Sequence, residues 1–262
     1  MSLRFGLIGN QINYSKSHLI HQTISKKFHY EISYELLNVD SDEIPELIDL
    51  LKEGYYQGFN VTTPYKERVI PFMDRLTHKA NKIGAVNTIY YKNGEVIGDN
   101  TDYDGFIGLL ETNHISVESK NVYVLGTGGG AKAAYHALRD LNANVTVVTR
   151  NLASNKHKFE HIIEYKDIDT KHVDIFVQAT PIGTFPNTNV SILTKEEVAG
   201  KIVIDLVYNP KITQIMRDSK KGYNGLHMLI IQAIKSEEIW FDQTIELTKQ
   251  LMKTLKEVIY DE

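Results

Sequence analysis

Apolar and polar positions change period several times along the chain, and each change predicts an element. Residues 4–9, with Phe5, Leu7 and Ile8 apolar, predict a buried strand. A polar loop over 10–17 follows. Leu19, Ile20, Ile24 and Phe28 then recur at helical spacing, with Ser17 placed to cap that helix. Residues 33–39 predict a second strand. Residues 42–52 put Ile44, Leu47, Ile48 and Leu51 on one helical face, and Gly54 ends the helix. Residues 56–61 predict a third strand. Pro64 stands where a short helix over 65–72 begins, a further helix is expected over 74–82, and 85–98 reads as a hairpin turning at Asn93-Gly94. Strands alternating with short helices through the first hundred residues indicate an α/β domain of their own.

A dense polar stretch, 99–105, leads to a helix over 106–110. Strands are expected at 173–178 and 201–207, each ending in a polar or Pro-rich loop. The last third, 226–260, has apolar residues at 226, 229, 230, 233 and 234, then at 247, 251, 255 and 258, which predicts one or two amphipathic helices. The expected class is α/β: one domain over 1–103, completed by helices of 226–262 that return to it, and a second over 104–225. In open α/β sheets the ends of strands line the ligand crevice, so the loops after Val61, Val177 and Leu206 are places to look for a site.

The segment 121–149 narrows the second domain to a Rossmann type. An apolar run, Val122-Tyr-Val-Leu125, enters Gly126-Thr-Gly-Gly-Gly-Ala131, a helical pattern follows to Leu141, and a second apolar run closes the βαβ unit at 144–148. In the G-x-G-x-x-G/A pattern Gly126 allows the sharp turn, Gly128 lets a pyrophosphate approach the backbone, and Ala131 lets helix and strand pack closely. The helix N-terminus adds free N–H groups and a positive dipole end. A carboxylate that holds a ribose 2′-hydroxyl belongs at the end of the second strand, about 20 residues on. That point reads Thr149-Arg150-Asn151, with no acid. Arg150 is placed to hold a 2′-phosphate, which favours NADP over NAD.

Composition excludes more than it identifies. The formal charge is −4 with both signs interspersed, so no basic stripe points to nucleic acid or an anionic membrane. There is no cysteine, hence no disulfide frame and no thiolate nucleophile or ligand. The close histidine pairs, His18/His21 and His157/His161, lack a third ligand at suitable spacing, so no metal is expected. The opening residues hold too short an apolar run for a secretory signal, and no run of about 18 apolar residues could span a bilayer. The expectation is a cytoplasmic enzyme, monomer or homodimer, acting on a small molecule.

A nicotinamide enzyme that interconverts alcohol and carbonyl needs a proton donor at the developing alkoxide. A tyrosine four residues before a lysine is absent. Lys66, just past a strand end, and Asp102, in the polar stretch, are the candidates, and a nearby carboxylate favours the charged ammonium.

Seven motifs in order carry a closer likeness: Tyr14-Ser-Lys-Ser-His18, Gly58-Phe-Asn-Val-Thr-Thr-Pro-Tyr-Lys66, Gly84-Ala-Val-Asn-Thr88, Gly98-Asp-Asn-Thr-Asp-Tyr-Asp-Gly105, the glycine turn, Asp205-Leu-Val-Tyr-Asn-Pro210 and Gly225-Leu-His-Met-Leu-Ile-Ile-Gln232. Over nearly the whole chain the sequence resembles the shikimate dehydrogenase family, enzymes of aromatic biosynthesis that reduce 3-dehydroshikimate to shikimate with NADPH. The resemblance implies an N-terminal substrate domain and Lys66 as acid-base group beside Asp102. It implies Ser15 and Ser17 as donors to the substrate carboxylate. Asn60, Thr62, Asn87, Asp102, Tyr208 and Gln232 form the rest of the pocket. Gly126, Thr127, Gly128, Gly129 and Gly130 hold the pyrophosphate, and Leu206 and Gly225 line the nicotinamide side. Three departures stand out: Thr149-Arg150-Asn151 where the family often has Asn-Arg-Thr, Gln178-Ala-Thr180 for Asn-Ala-Thr, and His78 at a commonly acidic position. A quinate/shikimate dehydrogenase using NAD, and a non-catalytic nucleotide sensor, are the alternatives. The missing acid near Arg150 argues against the first, and the presence of both Lys66 and Asp102 against the second.

Overall fold

The computed structural model describes residues 2–260. Contacts divide the chain into two units, one formed by residues up to Gly105 together with those from Ile230 onward, the other by Phe106–Leu229.

The first unit contains β1 (Leu3–Gly9), α1 (Ser17–Lys27), β2 (Ile32–Asn38), α2 (Ile44–Lys52), β3 (Gly58–Val61), β4 (Arg75–Leu76), α3 (His78–Ile83), β5 (Thr88–Lys92) and β6 (Glu95–Asp99). Helix α4 (Thr101–Thr112) leads out of it. Its strands form one mixed sheet in the order β2-β1-β3-β5-β6-β4. One face is covered by Ile44, Leu47, Ile48 and Leu51 of α2, packed on Ile8, Phe59, Val61 and Ile89. The other carries Phe5, Leu7 and Tyr34, closed by Ile12, Trp240 and Phe241. Two helices therefore return to this unit: α9 (Leu226–Phe241) supplies those aromatics, and α10 (Lys249–Tyr260) packs on α1.

The second unit contains β7 (Asn121–Leu125), α5 (Gly129–Asp140), β8 (Asn144–Thr149), α6 (Leu152–Asn155), β9 (Ile162–Glu164), β10 (Ile175–Gln178), α7 (Lys195–Val198), β11 (Ile202–Asp205), α8 (Gln214–Asp218) and β12 (Lys221–Asn224). Its six strands are all parallel, in the order β12-β11-β10-β7-β8-β9. This is the Rossmann arrangement, with the order reversing between β7 and β10. Ala131, Ala133, Ala134 and Ala137 of α5 are buried, and their small side chains let the helix lie close on β7 and β8.

Three local expectations change. No continuous helix covers 65–72: Val86 N–H donates to Lys66 C=O at 2.7 Å, which takes that carbonyl from the helical ladder, and only the 3₁₀ turn Ile70–Phe72 forms. The start of 74–82 is β4, because Asp74 and Thr77 N–H groups bond to Val96 and Gly98 carbonyls beside β6; Thr77 then caps α3 through Ala80 N–H. Ser17 does not cap α1. The cap position is Lys16, whose side chain makes no capping hydrogen bond, and the Ser17 hydroxyl pairs with Ser15 instead.

Candidate active site

Strand directions assemble the site in the first unit. β1 and β3 are parallel; β5 is antiparallel to β3, and β6 antiparallel to β5, so β6 runs with β1 and β3. The loops after β1, β3 and β6 therefore leave one edge of the sheet, and the loop into β5 arrives there. These loops, with the first turns of the helices that follow β1 and β6, carry Ser15 and Ser17, Thr62 and Lys66, Asp102, and Asn87 respectively. Residues from four distant parts of the sequence are thus set along one edge.

Lys66 Nζ lies 2.5 Å from Asp102 Oδ2, with side chains 16% and 9% exposed, so the ammonium is reachable but held. The lysine's backbone is fixed through Val86, and the preceding Tyr65 hydroxyl donates to Val39 C=O at 2.8 Å. Asp102 is in the first turn of α4, where the dipole favours a carboxylate. Fixed donor and fixed counter-charge hold the ammonium in one orientation.

Asn87 is 2% exposed. Its Oδ1 accepts from Thr101 N–H at 2.7 Å, which orients the amide. Its Nδ2 donates to Thr101 Oγ1 at 3.0 Å and Gln232 Oε1 at 3.4 Å, so the nitrogen is the end turned toward Gln232. Asn60 sits deeper. Its Nδ2 donates to Asn87 C=O, Thr88 Oγ1 and Ser236 Oγ, and its Oδ1 accepts from the Tyr34 hydroxyl at 2.8 Å. At 5% exposure it holds neighbouring groups in place as well as facing the edge. Ser15 and Ser17 hydroxyls are 3.1 Å apart at the start of α1. The Thr62 methyl lies over Gly9, and Thr62 N–H is bound to Ile8 C=O. Tyr208 is half-buried in the second unit, on the loop after β11.

In the second unit all strands are parallel, so the glycine turn, residues 149–151, Gln178, Leu206 and Gly225 all lie at the carboxyl ends of strands. Gly126 has φ 118°, a conformation L side chains rarely adopt. Gly128 is the cap of α5, with no side chain to satisfy the first N–H groups, and a Cβ there would meet nothing within 4 Å. Thr127, Gly129 and Gly130 are part-buried in the same turn, and Ala131 is fully buried beneath it. Open space before unfilled N–H donors suits a pyrophosphate. Leu206 Cδ1 lies 3.5 Å from where a Cβ on Gly130 would be, which brings Leu206 over the turn. At the end of β8, Thr149 Oγ1 accepts from Asn151 N–H, and Asn151 Oδ1 accepts from Ser154 N–H. Arg150 projects, exposed, between two tied neighbours. Its charge reaches Tyr165, whose phenol burial pushes up to about 12 while Arg150 acts in the opposite direction. Residues 149–151 offer a cationic arginine and no carboxylate, which fits a 2′-phosphate; the Glu164 carboxylate, beside Thr149 on β9, is already bound to Lys166 and to Leu152 N–H.

Two residues outside the expected set organise these loops. Gln178, 1% exposed, donates to Ile182 C=O and accepts from both Thr180 N–H and Thr180 Oγ1, shaping the turn after β10. Asp205, fully buried, accepts from Val207 N–H at 3.0 Å and Thr213 Oγ1 at 2.6 Å, fixing the loop that carries Leu206 and Tyr208. Burial pushes the Asp205 carboxyl up to about 7 from 3.8, against the pull of both hydrogen bonds. A carboxyl raised in the folded state contributes its full stability below pH about 4, and that contribution is lost as pH rises through about 7. Asp205→Asn removes the titration and keeps an acceptor for Val207. Its melting temperature relative to wild type should climb by several degrees between pH 5 and pH 8; a difference independent of pH would reject the assignment. Thr88 and Thr101 stand in two of the seven motifs without an assigned role, and Ser236 stands outside them. The available signal was a hydroxyl on the apolar stripe of the last helices, as at Ser236 beside Ala233 and Ile234.

Among the described residues no helix is long and apolar enough to cross a membrane, and no three His, Asp or Glu side chains form a group able to hold a metal ion.

The model of the shikimate dehydrogenase substrate binding domain matches residues 7–89. A shikimate dehydrogenase (NADP(+)) of Clostridium botulinum is 37% identical over 246 residues, covering 90% of this chain and 95% of that protein. The crystal structure of shikimate dehydrogenase 1 from Peptoclostridium difficile superposes with a TM-score of 0.89 at 35% identity, covering 99% of this chain and 98% of that one. Shikimate 5-dehydrogenase from Thermus thermophilus, in complex with NADP(H) and shikimate, superposes with a TM-score of 0.87 at 27% identity, covering 98% and 99%.

Proposed function

The chain belongs to the shikimate dehydrogenase family, and we propose that it catalyses the reversible NADP-dependent reduction of 3-dehydroshikimate to shikimate. The observation that carries this reading is the Lys66–Asp102 pair, held 2.5 Å apart at a sheet edge lined by short polar side chains. Bound NADPH supplies a hydride to the carbonyl carbon of the substrate. Lys66 donates a proton to the oxygen as charge develops there, and takes it back in the reverse direction. Asp102, 2.5 Å away, keeps the ammonium aimed.

The work divides between the two parts of the chain, substrate on 1–103 with 226–262 and cofactor on 104–225. Ser15 and Ser17 hydroxyls hold the substrate carboxylate. Asn60, Thr62, Asn87, Asp102 and Gln232 take its hydroxyls. A site built this way rejects analogues that lack a hydroxyl, because buried polar groups are left unpaired. The turn Gly126 to Gly130, with Thr127, holds the pyrophosphate over Ala131, and Leu206 and Gly225 face the nicotinamide. Arg150 pairs with the 2′-phosphate from a loop set by Thr149 and Asn151.

The test is oxidation of shikimate followed by absorbance of the reduced cofactor, with NADP and NAD compared in wild type and Arg150→Ala. Wild type should prefer NADP. The variant should raise the KM for NADP about tenfold or more, the worth of a charge-assisted contact, and leave the NAD reaction nearly unchanged. Equal loss with both cofactors would reject the 2′-phosphate contact, and no shikimate turnover would reject the activity.

A further inference from the structure

Glu237 lies in the C-terminal half of α9 on its buried face, where an apolar residue would be expected. The carboxylate is 1% exposed and His21, on α1, is 0% exposed; Glu237 Oε1 lies 2.9 Å from His21 Nδ1. Its other oxygen accepts from the Ser25 hydroxyl at 3.2 Å. His21 and Ser25 are four residues apart, on one face of α1, so a single helix face clamps the carboxylate. The His21 ring stacks on Tyr34 with centroids 4.4 Å apart and planes 9° from parallel. Tyr34 donates to Asn60 Oδ1 at 2.8 Å, and Asn60 Nδ2 donates to Ser236 Oγ at 2.9 Å, next to Glu237. The path Glu237–His21–Tyr34–Asn60–Ser236 closes on itself.

We propose that the buried Glu237–His21 pair is a positioning device for the substrate pocket: it sets α1, which begins at Ser17, against α9, which carries Gln232, and through Tyr34 it fixes the amide of Asn60. The inference rests on the proposed activity. A buried carboxylate is costly, and a well-packed leucine in its place is often at least as stable. Packing alone therefore gives no reason for a carboxylate here. What the carboxylate adds is direction: two hydrogen bonds fix both the rotation and the height of α1 on α9. Asn60 has both amide protons committed within the protein, so the Tyr34 bond determines that it meets a substrate hydroxyl as an acceptor.

Three variants test this: Glu237→Leu, which keeps bulk and loses both bonds; Glu237→Gln, which keeps an acceptor for His21 and a partner for Ser25; and Tyr34→Phe, which keeps the stack and cuts the link to Asn60. Glu237→Leu and Tyr34→Phe should each raise the KM for shikimate about tenfold, with kcat within about threefold and the KM for NADP unchanged. Glu237→Gln should restore the KM for shikimate to near the wild-type value. A merely structural role would shift melting temperature without this split between substrates. If Glu237→Leu does not fold, Tyr34→Phe and Glu237→Gln decide the matter alone. An active wild type with a normal KM for shikimate in Tyr34→Phe, or with both KM values rising together, overturns the positioning role and leaves the activity standing. A wild type without shikimate turnover overturns the activity, and this inference with it.

Discussion

Lys66→Met should lower turnover with shikimate about a hundredfold or more, the usual cost of removing a positioned acid-base group. Methionine keeps most of the side-chain length and loses the ammonium. About a hundredfold corresponds to roughly 2.7 kcal/mol of barrier, well above what repacking at a part-exposed position would cost. The KM for shikimate should change little, because the contacts proposed for the carboxylate and most hydroxyls lie on Ser15, Ser17, Asn87 and Gln232. The variant also leaves Asp102, with its side chain 9% exposed, without its cation. Asp102→Asn serves as the control. It keeps a polar partner for Lys66 and should lose less turnover than Lys66→Met. Near-normal kcat in Lys66→Met would remove the lysine from the chemistry and direct attention to another group on the same edge.

Gly225→Ala should abolish tight NADP binding and destabilise the nucleotide unit. A Cβ at this position would stand 2.1 Å from Leu206 O and 2.6 Å from Leu206 C. Both are backbone atoms, so no rotamer relieves the overlap. Gly225 N–H also donates to Val207 C=O at 3.1 Å, so the end of β12 must lift off the loop after β11 and lose that bond. Overpacking of this kind costs on the order of 1–3 kcal/mol or more. The expected readouts are a lower melting temperature and loss of the stabilisation that NADP gives wild type. Gly128→Ala is the contrast. Its added Cβ meets no protein atom within 4 Å, and its φ of −75° suits any residue. Stability should hold to within about 1 kcal/mol, yet NADP binding should fall, because the methyl projects into the space before the first turn of α5. If Gly128→Ala binds NADP normally, the pyrophosphate does not approach there.

Much of this architecture was legible in the pattern of residues. The periodicity at Ile44, Leu47, Ile48 and Leu51 marked α2, and the apolar run into Gly126 marked the β7–α5 turn. What escaped notice was short and polar. β12, Lys-Gly-Tyr-Asn, is strand because β11 lies beside it, and β4 is two residues long. Neither has enough side-chain pattern to announce itself; each exists through hydrogen bonds to a neighbour distant in sequence. The stretch 65–72 failed as a helix for the same reason, since Val86 claims the Lys66 carbonyl. The candidate residues were named from motif and chemistry, but their arrangement was not. Asn60 read as one more pocket residue, and it is also the centre of a buried network running to Tyr34 and Ser236. Glu237 belongs to no motif and no apolar period that would single it out.

By itself the sequence determined the local and chemical terms: which segments have one apolar face, where glycine permits a turn, that no acid ends the second strand of the nucleotide unit, and that a lysine and an aspartate stand in polar stretches beyond strand ends. These follow from side-chain chemistry and short-range periodicity, which act within a few residues. The tertiary structure alone decided that residues near 15, 62, 66, 87 and 102 share one edge, because that depends on strand order and direction, and pairing partners lie far apart along the chain. It alone decided that Lys66 and Asp102 meet, and that a carboxylate on α9 finds a histidine on α1. Such contacts come from burial closing the sheet between its helices, which no short window of sequence records.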